Sequence, residues 1–404
     1  MKPLGPIPAG FAADTRGQLL LGGVPAAELA AQGTPLFVYD RIRIAAQVAR
    51  FRTAFPCEVA LHYAVKANPY APLLDFMATL VDGFDVASAS EIERVAGLGL
   101  PVSFAGPGKR DAELEAAIRA GATINLESET EAERALGLAG ELGISPILAI
   151  RVNPPFGLKG AGMKMGGHGS PFGIDHDRVP ALIGTLVAAG ADWHGLHIYA
   201  GSQSLSAAAV IELHSETIAL AASIAEQVGH APRNVNLGGG FGIPYFAKDE
   251  PLDLESVGSA LAKALEERPK ILHDTKFAIE LGRWLVGEAG VYLTRIVDRK
   301  ISRGKTFLVT DGGLHHMLAA SGNFGQLLRR NYPVGIANRF AAEPDEEQTI
   351  VGCLCTPLDL LADEALLPRV AVGDLVAIFC AGAYGLSASP VGFLSQPMAR
   401  EMLV

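Results

Sequence analysis

The sequence has little of what extracellular, membrane-embedded or nucleic-acid-binding proteins need. Only four of its 404 residues are cysteine, too few for a disulfide framework at this length. No apolar run reaches the roughly 18 residues that a membrane span requires, and residues 1–17 lack a signal-peptide pattern. A formal charge of −10 argues against a surface that binds phosphate backbones. We therefore expect a cytoplasmic protein with no nucleic-acid and no membrane partner.

What the sequence does contain is an alternation of short strand patterns with longer helical patterns. Ala-, Leu- and Glu-rich stretches with apolar residues at helical spacing occur, for example, at 111–120, 129–142 and 206–228. Eight strand patterns lie at 59–65, 84–88, 102–106, 123–127, 147–152, 194–199, 234–237 and 277–281. This repeated alternation predicts an α/β fold, a TIM (β/α)8 barrel, with a doubly wound open sheet as the competing architecture.

A second, mostly β domain is expected after the barrel. Strand patterns separated by Gly/Pro turns occur at 291–298, 306–310, 349–351 and 374–379. The first 35 residues fall outside the barrel repeat, and we expect them to return to the β domain. The predicted domains are therefore residues 36–284 for the barrel, and residues 1–35 with 285–404 for a discontinuous, C-terminal mostly-β domain.

Residues 154–173 form an unusual loop, PPFGLKGAGMKMGGHGSPFG, directly after the fifth predicted strand. Loops of this length without structure are uncommon in compact domains and are often lids. In a TIM barrel this loop would lie at the C-terminal face, where active sites are built. The pattern predicts a lid, with a flexible insertion of no function as the alternative.

Lys66 is the first candidate for chemistry, because it ends a strand pattern in the segment HYAVKANP. Burying an ammonium group is unfavourable unless the group is paired or neutralised. A desolvated lysine therefore has a lowered pKa and can form Schiff bases with carbonyl compounds. From physical chemistry alone, a surface lysine that closes a strand remains the commoner explanation.

The segment HYAVKANP resembles the lysine motif of the fold type III pyridoxal-phosphate enzymes, which join a TIM barrel to a β domain. The resemblance to their decarboxylase branch, the diaminopimelate/ornithine decarboxylase family, extends along almost the whole chain. Its motifs are GFDVASASEIE (83–93), RVNP (151–154), GSQ (201–203), LGGGFG (237–242), ELGR (280–283), DGG (311–313), GCLCTPLD (352–359) and GAYG (382–385). The resemblance implies a carboxy-lyase that carries pyridoxal 5'-phosphate as a Schiff base on Lys66, in a homodimer with shared active sites.

Several cofactor contacts follow from this resemblance. Gly239 and Gly240 follow the seventh predicted strand, where TIM barrels usually bind phosphate. The segment does not match the G-x-G-x-x-G pattern of dinucleotide-binding folds, because Ile243 stands in place of the last glycine. Glu280 would face the pyridine nitrogen and keep it protonated, the alternative being a salt bridge with Arg283. The other implied contacts are Ser202, Arg283 and Tyr384 for the phosphate, Tyr199 stacked on the ring, and Asp85 and Arg151 bracing the pocket.

Cys355 resembles the cysteine that protonates the carbanion and is supplied by the partner subunit. Cys353 completes a C-x-C, but no further Cys or His pair at zinc spacing accompanies it, so we predict no metal site. The candidate substrate contacts are Asp311, Thr356 and His197. Asp311 matches an aspartate near the substrate, Thr356 follows the cysteine, and His197 stands two positions before the expected ring-stacking position.

The substrate-reading positions depart from the well-known members of the branch. Diaminopimelate decarboxylases have glutamate after the cysteine and arginine eight residues after the aspartate, where this chain has Thr356 and Ala319. Ornithine decarboxylases have aspartate at the first of these positions. The segments GMKMGG, DGGLHHxLAASGNFGQ and LCTPLDLLAD are similar to those of pyridoxal-dependent decarboxylases associated with exosortase A systems. This similarity implies a small amino-acid derivative with a neutral or masked side chain, free or joined to an acyl-carrier protein.

Three other functions stay open at this point. The first is diaminopimelate decarboxylation, which the substitutions at these positions disfavour. The second is an amino-acid racemase or epimerase, which would use the same lysine and cofactor but needs a second base, usually tyrosine. The third is a non-catalytic regulator that has lost its chemistry, although Lys66, Glu280, Asp311 and Cys355 are all retained.

Overall fold

The computed structural model describes residues 1–160, 162–164, 166–326 and 328–404. They form two compact units, each assembled from segments that are distant in sequence. The β unit consists of Met1–Gln47, Ile243–Glu250 and Arg283–Val404, and the barrel unit of Val48–Gly242 and Pro251–Gly282. The domain bounds predicted from the sequence, with the barrel at 36–284, stay a prediction.

The strands, in chain order, are β1 (Leu20–Leu21), β2 (Val24–Pro25), β3 (Leu36–Tyr39), β4 (Val59–Ala64), β5 (Gly83–Val86), β6 (Val102–Phe104), β7 (Thr123–Leu126), β8 (Ile147–Asn153), β9 (Met163–Lys164), β10 (Ile174–Asp175), β11 (Asp192–Ile198), β12 (Gly201–Ser202), β13 (Asn234–Asn236), β14 (Lys276–Leu281), β15 (Gly290–Ser302), β16 (Lys305–Thr310), β17 (Val334–Ile336), β18 (Glu346–Val351), β19 (Leu360–Leu367), β20 (Leu375–Ile378) and β21 (Arg400–Leu403).

The α-helices are α1 (Ala26–Leu29), α2 (Arg41–Ala54), α3 (Ala71–Met77), α4 (Ala89–Val95), α5 (Asp111–Ala120), α6 (Glu129–Leu142), α7 (Val179–Ala188), α8 (Ala207–Val228), α9 (Leu254–Glu266) and α10 (Arg283–Val286).

Eight parallel strands of the barrel unit close into a barrel. Their order is β8, β11, β13, β14, β4, β5, β6 and β7, and β7 pairs in turn with β8. The two-residue strand β10 lies beside β8 outside this circuit. The closed barrel confirms the TIM prediction and rules out the doubly wound open sheet. All eight predicted barrel strands are present, with ends displaced by at most two residues.

Local sequence sets the ends of the barrel helices. The backbone N–H of Glu131 donates to the Ser128 hydroxyl at 3.1 Å, which caps the start of α6. The helix stops at Gly143, whose φ of 66° lies in the left-handed region that glycine adopts at low cost. In the same way, α8 begins after Ser206 and ends at Gly229.

The helix α8 is the most apolar long helix among the described residues. Its 22 residues, interrupted by Glu212 and Glu216, make it long and apolar enough to cross a membrane by length and composition alone. Half of the apolar stretch of this helix is buried, and the helix packs against α7 and α9 of the barrel unit. Core helices of TIM barrels pass the same test, so this helix is only weak evidence for a membrane span.

The β unit is built on an eight-stranded sheet. Its main path runs β17, β20, β15, β16, β18 and β19, and β3 joins the edge of β15 with β21 beside it. The strand Leu36–Tyr39 pairs antiparallel with β15, so this segment lies in the sheet of the β unit. The Phe37 and Tyr292 rings pack with their centroids 4.7 Å apart. This sheet confirms the predicted mostly-β domain and adds β17, β19 and β21, which the sequence patterns missed.

The loop 154–173 contains more structure than its composition suggested. Within it, β9 pairs antiparallel with β12, so that Met163 lies opposite Ser202. The N–H of Gly167 also donates to the carbonyl of Pro154 at 3.0 Å. Residues 161 and 165 of this loop lie outside the described part of the chain. Its motion as a lid stays a prediction.

Candidate active site

Lys66 lies in a short 3-10 turn, Val65–Ala67, directly after β4. The hydroxyl of Tyr63 donates to the carbonyl of Asn68 at 3.0 Å and ties the turn to the strand. Val65 and Ala67 are buried, whereas Lys66 is exposed, with its Nζ 5.6 Å from the centroid of the Tyr199 ring. Of the two interpretations of the sequence, this exposure agrees with a lysine that closes a strand, and the role of Lys66 as the Schiff-base lysine stays a prediction.

Glu280 is a buried carboxylate in β14, only 5% exposed. The Nε2 of His197, a residue of β11, donates to Glu280 Oε2 at 2.9 Å, and Asn236 Nδ2 of β13 donates to the same oxygen at 3.3 Å. Burial alone would raise the pKa of Glu280, but the contact with His197 and the nearby charges of Lys66 and Arg151 lower it well below its usual value. The carboxylate is therefore held in its ionised form inside the barrel.

His197 was predicted as a substrate contact, and in the structure its side chain contacts Glu280. Its side chain is 2% exposed and its Nε2 is occupied by Glu280. Its Nδ1 is buried and has no hydrogen-bond partner among the described residues. This geometry suits a residue that orients Glu280, and direct contact with substrate stays a prediction.

The glycine segment after β13 packs backbone against backbone. A Cβ atom at Gly239 would lie 1.9 Å from the carbonyl oxygen of Glu280, and one at Gly240 would lie 2.5 Å from the carbonyl oxygen of Gly201. Gly240 also has a φ of 89° and accepts a hydrogen bond from the N–H of Ser204 at 2.9 Å. The segment thus lies beside Gly201, Ser204 and Glu280, which brings the predicted cofactor contacts Gly239 and Gly240 next to Glu280.

Gly239→Ala is expected to destabilise the protein by about 1–3 kcal/mol, because the new methyl group would overlap backbone that cannot move freely. Gly184→Ala is the matched control, since its Cβ would meet nothing within 4 Å in α7 and alanine favours helix by roughly 0.5–1 kcal/mol. Urea denaturation of the two variants measures the difference. Equal stability of the two variants would show that the segment is looser than its contacts indicate.

Arg151, in β8, is positioned by a carboxylate that the sequence analysis did not single out. Its Nη1 donates to Glu127 Oε1 at 2.9 Å, and both side chains are buried. Glu127 also accepts hydrogen bonds from the backbone N–H groups of Gly106 at 2.5 Å and Gly173 at 3.1 Å. Its position directly after a barrel strand is the signal that could have found it, since barrel enzymes place functional groups at strand ends.

Asp85 lies in β5 and is 5% exposed. Neither of its carboxylate oxygens has a hydrogen-bond partner among the described residues. Its nearest charged neighbour is His62 of β4, whose Nδ1 lies 3.6 Å from Asp85 Oδ2, beyond normal hydrogen-bond distance. Buried polar atoms without partners are rare in native proteins, so Asp85 is open to a further polar group or to water.

In the β unit, Arg283 and Tyr384 lie together. The guanidinium carbon of Arg283 is 4.8 Å from the Tyr384 ring centroid, and its Nη1 donates to the Tyr245 hydroxyl at 3.0 Å. The Nε of Arg283 is buried and has no hydrogen-bond partner among the described residues. Tyr384 has a φ of 52°, a left-handed conformation that non-glycine residues adopt mainly at functional sites.

Cys355 and Thr356 belong to a loop of the β unit that one buried carboxylate holds. Asp359 accepts hydrogen bonds from the N–H of Leu354 at 2.8 Å and from the N–H of Leu314 at 2.6 Å. Cys355 is exposed and Thr356 half-buried. The thiol of Cys355 is therefore presented at the surface of this unit on a loop with a fixed base.

Asp311, the third predicted substrate contact, is engaged within the β unit. Its Oδ1 accepts from the Thr294 hydroxyl at 2.7 Å and from the N–H of Arg295 at 2.8 Å, and its Oδ2 accepts from the Thr34 hydroxyl at 2.5 Å. Both oxygens thus brace the start of the segment after β16. A role toward substrate stays a prediction for this residue.

The barrel unit therefore assembles an exposed amine, a buried ionised carboxylate and a glycine-lined segment at the C-terminal ends of its strands. Such a set can hold a carbonyl compound with a basic ring nitrogen and an anionic tail. Residues 41–287 match a family model described as "Pyridoxal-dependent decarboxylase, pyridoxal binding domain".

Curated relatives and solved structures agree with this match. The chain is 35% identical to the L-glutamyl-[BtrI acyl-carrier protein] decarboxylase of Niallia circulans, over 92% of this chain and 88% of that protein. It is 32% identical to the diaminopimelate decarboxylase of Methanothermobacter thermautotrophicus, over 97% and 91% of the two chains. A crystal structure of diaminopimelate decarboxylase from M. jannaschii with L-lysine superposes with a TM-score of 0.88 at 25% identity, covering 98% and 93% of the chains.

Proposed function

This chain belongs to the pyridoxal-dependent decarboxylase family, and from that membership we propose that it decarboxylates an amino-acid derivative joined to an acyl-carrier protein. It is a carboxy-lyase that uses pyridoxal 5'-phosphate and acts on an amino-acid-type substrate. The observation that supports a carrier-linked substrate is the 35% identity with a glutamyl-carrier decarboxylase over 92% of the chain. A cytoplasmic location stays a prediction.

The residues of the chain fit the cofactor that the family uses. Lys66 offers an exposed amine to the aldehyde, and Glu280 offers an ionised carboxylate to the ring nitrogen. The oxygens of Asp85, which lack partners among the described residues, are polar atoms that ring substituents could use. Within the barrel unit, Ser202, Gly239 and Gly240 would contact the phosphate, Tyr199 would lie against the ring, and Arg151 would brace the pocket. The phosphate contacts of Arg283 and Tyr384, which belong to the β unit, stay a prediction from the resemblance.

When bound, pyridoxal phosphate accepts the electron pair that remains as CO₂ leaves. Glu280 keeps a negative charge beside the ring nitrogen, because His197 and Asn236 hold its carboxylate in place. Preorganised charge of this kind is usually the largest contribution to catalysis, since the protein does not reorganise during the reaction.

We assign the proton that replaces CO₂ to the Sγ of Cys355. The thiol is exposed on a loop whose base Asp359 fixes, so it can be presented to another subunit. This assignment implies a homodimer in which each subunit supplies its cysteine to its partner's site. Thr356, the next residue, would lie near the substrate side chain and offers a hydroxyl instead of a charge.

Cys355→Ala is expected to lower kcat by about a hundredfold to ten-thousandfold, the usual contribution of a positioned proton donor. Cofactor binding, followed by visible absorbance, should be unchanged. Cys57→Ala is the matched control, because Cys57 is also an exposed free thiol. Full activity of the Cys355→Ala variant would remove this residue from the mechanism.

Diaminopimelate is the second candidate substrate, favoured by the 32% identity with a diaminopimelate decarboxylase. Thr356 and Ala319 argue against it, because neither can pair with the distal charged groups of that compound. The family membership disfavours a racemase, and the retained Lys66, Glu280 and Cys355 disfavour a non-catalytic regulator.

A CO₂-release assay on the holoenzyme separates these substrates. The panel contains a glutamyl group attached to an acyl-carrier protein, free glutamate, diaminopimelate and ornithine, with the unloaded carrier as a blank. We expect turnover of the carrier-linked group and no turnover of free diaminopimelate or ornithine. Efficient release of CO₂ from free diaminopimelate would overturn the proposal.

A further inference from the structure

The lower half of the barrel is hollow. A cavity of about 600 Å³ lies in the barrel unit and is lined by the first residues of several strands, which places it at the N-terminal face. TIM barrels usually fill this region with layers of bulky branched side chains. Here most of the lining side chains are small or polar, among them Ala60, Ser103, Asn125, Ala149 and Ala278, and the branched Val102, Ile147 and Leu196 also contribute.

The inner end of the cavity meets buried polar atoms that lack partners. His62 lines the cavity, and its Nδ1 faces Asp85 at 3.6 Å, too far for a hydrogen bond. His62 Nδ1, both oxygens of Asp85 and Oδ1 of Asn234 have no hydrogen-bond partner among the described residues. Because a polar cavity of this size has room for many waters, these atoms have a solvent that can satisfy them.

The cavity also reaches the surroundings of Glu280. Asn236 lines it and donates to Glu280 Oε2 at 3.3 Å. His62 and Glu280 are direct neighbours in the register between β4 and β14. Glu280 thus has His197 as a hydrogen-bond partner and the cavity-lining His62 as its neighbour on the adjacent strand.

The charges around His62 favour its protonated form. Burial would lower the pKa of His62, but Asp85 of β5, Glu280 of β14 and Asp82, just before β5, together raise it above its usual value. Histidine is the side chain that most readily takes up and releases protons under ordinary conditions.

We propose that water fills this cavity and that His62 relays protons between that water and the buried carboxylate Asp85. The candidate site then exchanges protons with solvent through the N-terminal face of the barrel, opposite the face that receives substrate. The step is a plain proton transfer. The imidazolium gives its Nε2 proton to a cavity water, and that water can return it. A small shift of the ring closes the 3.6 Å gap between Nδ1 and Asp85 Oδ2, and the pair can then exchange a proton through the hydrogen bond so formed.

The first test is the occupancy of the cavity in crystals of the holoenzyme, with and without xenon pressure. Ordered waters bonded to His62 and Asn234, with no xenon, are the expected result, since dry apolar cavities bind xenon and wet polar ones do not. Bound xenon, or an organic ligand that fills the cavity, would overturn the proposal.

The second test measures proton exchange of the His62 ring with water by NMR in ¹⁵N-histidine-labelled holoenzyme, with His62→Gln to identify the signal. Ala149→Leu places a bulky side chain in the cavity, and Ala181→Leu makes the same change at an exposed position of α7. We expect proton exchange of the His62 ring to slow about tenfold or more in Ala149→Leu only. The leucine would interrupt the chain of hydrogen-bonded waters, and a broken chain cannot carry protons. Ala60→Val serves as a milder block if Ala149→Leu does not fold.

Equal exchange rates in the native protein, the blocked variant and the exposed control would contradict the relay. The relay concerns the same site as the proposed function and depends on it only for its consequence in catalysis. Because the readout is a ring proton and not CO₂, failure of the relay leaves the substrate proposal untouched, and a wrong substrate leaves the exchange measurement valid.

Discussion

Replacing Lys66 with alanine is expected to give a protein that no longer holds pyridoxal phosphate covalently and whose kcat falls by at least about a thousandfold. The chain would lose the amine that forms the covalent link, while the glycine segment and Glu280 would still form a pocket. Visible absorbance before and after borohydride treatment measures the link. In the native protein, reduction should attach the cofactor permanently to the peptide that contains Lys66.

Lys263→Ala is the matched control for this experiment, because Lys263 is a 73% exposed lysine of α9 in the same unit. It should bind the cofactor and turn over substrate as the native protein does. If the native protein is colourless and ignores added pyridoxal phosphate, the family resemblance records ancestry alone. The non-catalytic regulator then becomes the leading interpretation.

Glu280→Gln is expected to lower kcat by roughly a hundredfold or more while leaving the barrel folded. The amide keeps the shape of the side chain but removes the charge that His197, Lys66 and Arg151 surround. The loss should appear in kcat more than in KM, because charge beside the ring nitrogen matters most as CO₂ leaves. Steady-state kinetics on the carrier-linked substrate measures it, and native kcat in the variant would exclude the role.

The same substitution should change how stability depends on pH. Because the folded-state pKa of Glu280 lies below its usual value of 4.5, its ionised form adds stability above that pH. This contribution is lost as pH falls through the lower, folded-state pKa, so the native protein should lose its advantage over Glu280→Gln in acid. Urea unfolding at a series of pH values checks the trend. Glu255→Gln is the control, since Glu255 is 70% exposed.

The barrel could be predicted from the sequence because its strands are buried, short and separated by amphipathic helices. The strand β19 could not be predicted in this way, since its sequence, LLADEALL, consists largely of good helix formers. Its antiparallel pairing with β18 overrides that local preference. The pairing of β9 with β12 was missed for the opposite reason, because two-residue strands in a glycine-rich loop leave no periodic pattern.

Motifs located the candidate site better than they described its interior. They pointed to Glu280 and to the glycine segment, which the barrel brings together. They included His62 as the first residue of HYAVKANP but gave no sign that it lies beside Asp85, because that depends on the register of two strands. The sequence also left open whether Lys66 is buried, because a strand pattern does not show at which residue the chain turns away.

Glu127 couples the end of the loop 154–173 to Arg151. The loop continues from β8, which carries Arg151, and Glu127 accepts hydrogen bonds from both Arg151 and the N–H of Gly173 at the other end of the loop. Because one buried carboxylate serves both partners, a change in the position of Gly173 should be felt at Arg151. The loop and the arginine are therefore expected to respond together to Glu127→Gln, which weakens both contacts at once.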